Sequence, residues 1–509
     1  MRAPGTRSIL PLVQDPSTQP DYLPYVRGGL PGPKGGREVA VVGAGMAGLL
    51  AATLLAGAGH KVRIFEASRR IGGRIMTVRE PFSAGLYGEA GAMRLPSFYE
   101  LTLAVIAQFG LPTNVFYNHD ESGNELIFVN GVKVRRRDYQ AQQGRGLGYP
   151  LEPAEEGMTA EALLASALAP IASYVGSAPL EDAAHNQWRK VIARYGEQSV
   201  REFLKGQTFY SEGAIELIEV LMDLESRSES ALIQQIVEIN DHGPDVHYAE
   251  ITGGMDKLTD AFVARLAELE VPIELDRRLI GIERAGESDP VRLDFTAGDP
   301  PTSAGSVAAD CVIVTVPFPG LRYVTVTPPF SHDKRKAIRE LHYDAATKIM
   351  LEFSTRFWEI EDEIYGGCTI TDLPSRFVYY PSNGWRSGGG GVLITSYTWG
   401  DEARGWDSFS HDDQIRFTLD DLATIHGQHI REYFVRGVVQ SWATDRFSHG
   451  EAAMFYGGQL EELQACIPVP EGQVHFAGEH TSLKHAWIEG SFESAIRAAL
   501  EVHGHAPGK

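Results

Sequence analysis

The sequence predicts an α/β chain, α+β overall, in which a discontinuous Rossmann-like domain is joined to a mixed-sheet domain and a helical insertion. Three observations predict this. Val39-Ala40-Val41-Val42 is a β-branched apolar run that leads at once into Gly43-Ala44-Gly45-Met46-Ala47-Gly48 and a small-residue helical segment, the opening of a βαβ unit. A similar short run, Val474-His475-Phe476-Ala477, returns near the other end, ahead of a closing helical segment. Between them, residues from about 155 to 238 switch to helical periodicity, and residues from about 341 to 445 alternate aromatic and β-branched with polar residues.

Taken in order, residues 1–36 are rich in Pro and Gly and read as an extended arm. The strand Val39–Val42, a helix from Met46 to Ala58 and a strand from Lys61 to Glu66 make the βαβ start. Thr159 is placed to cap a helix, and Ser199 followed by Glu202 is a capping box that opens another. Pro272 to Leu275 and Cys311 to Pro317 read as strands, the second continuously apolar, as expected of a sheet covered on both faces. Phe377 to Tyr380 and Val392 to Tyr397 read as strands of a mixed or antiparallel sheet, and the last helix runs from about Gly490 to Val502. The division expected is a dinucleotide domain of residues 37–77, 251–340 and 446–509, a substrate-binding domain of residues 78–150, 239–250 and 341–445, and a helical domain of residues 151–238.

Composition narrows the function. A length of 509 residues suggests about three folded units, enough to bury a large cofactor. A formal charge of −21, with no basic run longer than Arg135-Arg136-Arg137, argues against a nucleic-acid surface, which needs a positive patch. Cys311, Cys368 and Cys466 lie far apart without C-x-x-C spacing, and none of the 16 histidines falls in an H-E-x-x-H pattern, so neither a disulfide framework nor a metal site is expected. With no secretory h-region and no apolar run approaching about 18 residues, a cytoplasmic protein without a membrane partner is expected.

The hexad Gly43 to Gly48 is G-x-G-x-x-G, whose glycines serve a tight turn, backbone approach to a diphosphate, and close packing of helix on strand. The helix N-terminus adds N–H groups and a positive dipole end for phosphate. Glu66, eighteen residues past Gly48 and followed by Ala67, can accept ribose hydroxyls and would repel a 2′-phosphate, which disfavours NADP and leaves NAD or FAD. Arg69-Arg70-Ile71-Gly72-Gly73-Arg74 makes a second phosphate-approach loop that a simple NAD dehydrogenase does not need.

The run VAVVGAGMAGLLAATLL…VRIFEASRRIGGRI resembles the N-terminal FAD-binding segment of the flavin amine oxidases, a family that includes monoamine, polyamine and L-amino acid oxidases. Thr252-Gly253-Gly254-Met255-Asp256-Lys257-Leu258 and Val474-His475-Phe476-Ala477-Gly478-Glu479-His480-Thr481, followed by Trp487-Ile488-Glu489-Gly490-Ser491, resemble two further family blocks. The resemblance implies FAD, held by Gly43, Ala44, Gly45, Met46, Ala47, Gly48, Glu66, Ala67, Gly73 and Arg74, with Gly91, Ala92, Met93 and Arg94 alongside. It implies the Leu279 backbone at the adenine, Gly478 and Glu479 at the ribityl or diphosphate portion, and Trp487, Ile488 and Ser491 along the isoalloxazine, with Gly254 and Met255 on the flavin side. The helix beginning near Gly490 would aim its N-terminus at the flavin pyrimidine, where negative charge collects on reduction.

Gly88-Glu89-Ala90-Gly91-Ala92-Met93-Arg94-Leu95-Pro96 resembles the L-amino acid oxidase form of this loop, which implies that Arg94 grips a substrate carboxylate with Tyr397 sharing that duty. Thr347-Lys348-Ile349-Met350-Leu351 resembles the block carrying a flavin-proximal lysine, which implies a catalytic water-holding role for Lys348. Trp442 and Trp487 match positions that wall the substrate cavity. Ala486 stands where some relatives place a glycine against the substrate amine, which would narrow the pocket by a methyl group. Asp344, four residues before Lys348, would favour Lys, Arg or ornithine side chains if it points inward, and otherwise is a strand-entry carboxylate.

The activity implied is that of an FAD-dependent L-amino acid oxidase, taking an L-amino acid and O2 to a 2-oxo acid, ammonia and hydrogen peroxide, in a homodimer. Hydride transfer from the neutral-amine substrate to flavin N5 requires no side-chain base, and no His–Asp pair demands one; His480 and His485 stay unassigned. Alternatives are an amino acid 2-monooxygenase that forms an amide, an oxidase of amines without a carboxylate, and a non-enzymatic binder resembling the GDP-dissociation inhibitors.

Overall fold

In the computed structural model, which describes residues 21–32, 35–176, 190–241, 246–286 and 289–504, Glu38–Val42 is the central strand of a five-stranded parallel sheet. Lys61–Phe65 and Cys311–Val314 flank it, with Ile273–Glu274 and Val474–Phe476 at the edges, and all four pairings are parallel. Segments almost the whole chain apart therefore share one sheet. Alternation along the central strand sends Val39 and Val41 into the core formed with the helices Met46–Gly57 and Ile488–His503, and Ala40 and Val42 into the core on the other face. Burying each Val, Ile or Leu side chain here contributes roughly 1.5–3 kcal/mol.

On the second face lies a four-stranded sheet of Thr302–Ala309, Val291–Ala297, Arg278–Arg284 and Thr325–Thr327, whose Leu279, Leu293 and Phe295 join the same core. A seven-stranded mixed sheet orders Phe434–Ser441, Ala346–Phe353, Gly391–Trp399, Phe377–Tyr379, Cys368–Thr371, Leu126–Val129 and Val132–Arg135. Only Cys368–Thr371 against Leu126–Val129 is parallel in it. Every residue of Ala346–Phe353 is buried, Lys348 included.

The helices Ala160–Gly176, Val200–Gln207, Glu212–Leu221 and Leu232–Asp241 form where helical periodicity predicted them. The Thr159 hydroxyl accepts the Ala162 N–H at 3.2 Å, and the Ser199–Glu202 capping box is closed in both directions. The expectation of an extended arm over residues 1–36 needs correction where it falls on described residues: Leu23–Gly28 is a short helix with Val26 buried against the core. Tyr22, Leu23, Tyr25 and Val26 are apolar enough to dock despite the flanking Pro and Gly, and residues 1–20 and 33–34 lie outside the described residues. Among the described residues no helix is long and apolar enough to cross a membrane, and no group of three or more His, Cys, Asp or Glu side chains is arranged to hold a metal ion.

Candidate active site

The dinucleotide loop does locally what its glycines predict. Gly43 has φ +111°, in the region that favours glycine, and a Cβ there would meet the Thr315 hydroxyl at 2.2 Å. At Gly48 a Cβ would lie 2.0 Å from the Gly43 carbonyl oxygen, so helix and strand approach as closely as their backbones allow. Gly45 differs, since a Cβ there meets only the Gly73 Cα at 3.8 Å and the residue faces an open cavity. The Gly72-Gly73 loop lies directly on the hexad: the Gly72 N–H donates to the Ala44 carbonyl at 2.9 Å, and Gly45 and Gly72 form a parallel bridge. Glu66 closes the arrangement by accepting the N–H groups of Ala44 and Ser68, each at 2.8 Å. Each carboxylate oxygen accepts one of these and has a second lone pair, so both retain capacity for a ribose hydroxyl.

Gly43, Gly45, Met46, Ala47, Glu66, Ala67, Gly73, Arg74, Ala92, Leu279, Gly478, Glu479, Trp487, Ile488 and Ser491 all line one elongated cavity. Ala44 and Gly48 lie beneath it as scaffold, Ala44 fully buried. Trp487 caps the helix Ile488–His503, whose first turn presents a positive dipole end to this cavity. Arg74 and Glu479 pair at 3.0 Å across the cavity wall. Burial raises the Glu479 carboxyl, but Arg74, His485, His480 and the Ala486 N–H outweigh burial and hold it below its usual range.

A second cavity, of about 870 Å³, meets the first at Ala92, Glu451, Ala486, Trp487 and Ile488. Gly91, Met93, Arg94, Lys348, Tyr379, Tyr397 and Trp399 line it. Arg94 donates to Asn118 and, at 3.3 Å, to the Tyr379 hydroxyl, and its guanidinium lies 5.5 Å from the Tyr248 ring centre and 5.8 Å from that of Tyr379. These aromatic rings and the Asn118 amide oxygen hold the cation, whose planar fork has the shape that matches a carboxylate. Lys348 donates to the carbonyls of Glu89 at 3.2 Å and Gly91 at 2.7 Å and sits 4.4 Å over the Tyr397 ring. Burial pulls its ammonium down to about 7, with Glu451 and Glu89 opposing.

Several expected placements are not borne by the geometry. Trp442 does not line either cavity; its indole N–H donates to the Ala90 carbonyl at 2.9 Å and its ring packs with Ala346 and Trp399, so Trp399 forms the wall instead. Asp344 also lies outside both linings, its carboxylate accepting the Ala345 N–H at 2.9 Å and lying 3.8 Å from His342. Gly254 and Met255 are set back as well: the Met255 N–H donates to Glu89 and its side chain is core. Sequence reasoning missed Tyr379, Trp399, Glu451, and the Asp223–Arg227 pair, which joins at 2.7 Å on the cavity wall. The one available signal was Glu451 itself, an acid at the head of the apolar run Ala452-Ala453-Met454-Phe455.

A parallel-sheet glycine loop, an answering carboxylate and a second glycine loop stacked upon it define a dinucleotide-binding fold with a second cavity adjoining the first. Residues 46–503 match the family described as flavin containing amine oxidoreductase, and the chain belongs to that family. YobN of Bacillus subtilis (strain 168) is 43% identical over 486 residues, covering 95% of this chain and 98% of YobN. An L-amino-acid oxidase of Siganus canaliculatus is 38% identical, covering 94% and 88%, and an L-glutamate oxidase precursor of Streptomyces viridosporus is 34% identical, covering 95% and 88%. Among solved structures, a putrescine oxidase bound to putrescine superposes with a TM-score of 0.72 at 20% identity, over 93% of this chain and all of that one. Cyclohexylamine oxidase from Brevibacterium oxydans gives 0.71 at 18% identity, over 92% and 99%. The family's flavin fits the first cavity: open backbone at Gly45 for a diphosphate, Glu66 for a ribose, and a helix N-terminus at Ser491 for the electron-accepting ring.

Proposed function

We propose that the protein is an FAD-dependent L-amino acid oxidase that converts L-amino acids to 2-oxo acids, releasing ammonia and hydrogen peroxide. The observation that carries the reading is Arg94, a guanidinium held among Tyr248, Tyr379 and Asn118 in the cavity that meets the flavin cavity. A substrate that is only an amine has no use for a fixed cation there, whereas an α-carboxylate pairs with it bidentately. The names of the fish and Streptomyces relatives support the same reading.

Bound FAD supplies the two-electron acceptor for the substrate Cα–H bond and passes those electrons to O2. The protein's own residues bind and orient. With the carboxylate on Arg94 and the Tyr397 hydroxyl, the α-carbon falls toward the seam of the two cavities, where Ala486 and Trp487 stand. Tyr99 packs edge-on against Trp487 at 5.2 Å and fixes that wall. Lys348, held by the Glu89 and Gly91 carbonyls and the Met93 sulfur, is the residue to which this reading gives the water-holding role. The test is oxygen-electrode screening of the twenty L-amino acids, their D-enantiomers and the corresponding amines, with peroxide, ammonia and 2-oxo acid measured in parallel. Oxidation of L-amino acids with equal yields of peroxide and 2-oxo acid is expected; amide and CO2 as products, or turnover of amines alone, would contradict it.

A further inference from the structure

Five residues line both cavities: Ala92, Glu451, Ala486, Trp487 and Ile488. Glu451 alone among them carries a titratable side chain. Its backbone is fixed on both sides, the N–H donating to the Asp344 carbonyl at 2.8 Å and the carbonyl accepting from Arg74. Its Oε2 is buried and has no hydrogen-bond partner among the described residues. A buried carboxylate oxygen without a donor costs free energy that a structural role would not require, and Glu451 as a residue is only partly buried and lines both cavities, so the rest of its carboxyl group can meet a ligand donor at the seam.

The substrate supplies such a donor. An L-amino acid arrives as an ammonium carboxylate, and oxidation at Cα needs the nitrogen lone pair, so one N–H proton must leave first. With the carboxylate on Arg94 and the α-carbon at the seam, the ammonium group falls beside Ala486 and Glu451. We propose that Glu451 is the catalytic base that takes a proton from the substrate's α-ammonium group. The N–H bond breaks, its electron pair stays on nitrogen, and an O–H bond forms on the Glu451 carboxylate. This rests on the L-amino acid oxidase reading and adds a base that the hydride scheme by itself did not demand.

The charges around Glu451 suit that task. Arg74 from the second glycine loop and Lys348 from Ala346–Phe353 favour its carboxylate, while Glu479 and Asp344 oppose it, and the Tyr397 hydroxyl belongs to the same cluster. Burial outweighs the two cations and pushes the carboxyl up to about 8, close to the operating range of a base that must accept and release a proton. Because only the ionised form accepts a proton, kcat/KM should rise with pH through a limb near 8.

The experiment uses the flavin-loaded enzyme and its fastest L-amino acid. In the wild type, kcat/KM is expected to climb through the limb near 8. In Glu451→Gln that limb is replaced by one at the amino acid's own ammonium ionisation, and kcat/KM at pH 7 falls about 100-fold. Benzoate, which carries a carboxylate and no amine, is expected to perturb the flavin spectrum with the same Kd in both proteins. An unchanged limb in Glu451→Gln, or benzoate affinity falling in step with the rate, would overturn the proposal. If Glu451→Gln does not retain flavin, Glu451→Asp decides: a base keeps a displaced limb, and a limb that stays in place while the rate falls refutes it. A wild type that oxidises no L-amino acid instead overturns the oxidase reading on which the proposal rests.

Discussion

Lys348 and Tyr397 stand opposite one another across two antiparallel strands, with the Lys348 Nζ 4.4 Å from the centre of the Tyr397 ring. Burial holds the Lys348 ammonium at about 7 in the folded protein, against about 10.4 in an unfolded chain. Between those values the unfolded chain binds more protons, so stability rises with pH, and below about 7 the full cost of the buried cation is felt. Lys348→Met removes that cost. Thermal melts should show the variant more stable than the wild type at pH 6, by a margin that shrinks toward pH 10, while oxidase turnover falls at least tenfold. A margin independent of pH would contradict the burial argument.

Gly48 bears on the cofactor through the packing of its helix on the central strand. A Cβ there would lie 2.0 Å from the Gly43 carbonyl oxygen, so Gly48→Ala must push the helix Met46–Gly57 off the strand Glu38–Val42 and spread the loop. The purified variant is expected to lose most of its visible flavin absorbance. Full retention would mean that the loop does not hold the diphosphate.

How much of this was legible in the sequence depended on distance along the chain. The Gly43–Gly48 hexad, Glu66 and the Gly72-Gly73 loop fall within about thirty residues, where spacing fixes geometry, and they assemble as expected. Asp344 did not follow the same logic. Whether it points inward depended on which sheet it joins, and the chain changes sheets at Ala345: Asp344 pairs with Ala452 in a two-stranded sheet, and Lys348 pairs with Tyr397 in the seven-stranded one. Trp442, matched to a cavity wall by resemblance, lies one residue past the strand Phe434–Ser441 and turns instead onto Ala346 and Trp399. Asp223 follows a helix and has φ +56°, so no periodicity pointed it into the cavity.

Asp223 and Arg227 form a neutral pair on the wall of the substrate cavity, at 2.7 Å. Asp223→Asn removes the carboxylate that pairs with Arg227 and makes the cavity wall more positive. The ratio of kcat/KM for L-lysine over L-glutamate is expected to fall at least tenfold in the variant, about 1.4 kcal/mol. An unchanged ratio would mean that substrate side chains do not reach the pair.

Ala486 has φ +64°, a left-handed conformation that favours glycine, and its N–H is tied to Glu479 at 3.2 Å. Relief of that strain offsets the chain entropy of a glycine, so Ala486→Gly should stay within about 1 kcal/mol of wild-type stability. Ala486→Val, β-branched in the same conformation, should lose more. The enlarged seam of the glycine variant should raise the KM of a small substrate such as L-alanine relative to that of L-phenylalanine. Melting curves and the KM ratio check both expectations.

In the proposed function Arg94 carries the distinction between an amino acid oxidase and an amine oxidase, and one comparison tests it. The kcat/KM of the preferred L-amino acid and of its decarboxylated amine is measured in the wild type and in Arg94→Ala. Truncation of a buried charge partner costs roughly 2–5 kcal/mol, so the amino acid should lose at least about 30-fold while the amine, already poor, changes by less than about threefold. An amino acid rate untouched by the substitution, or an amine that falls in parallel with it, would contradict a carboxylate held by Arg94.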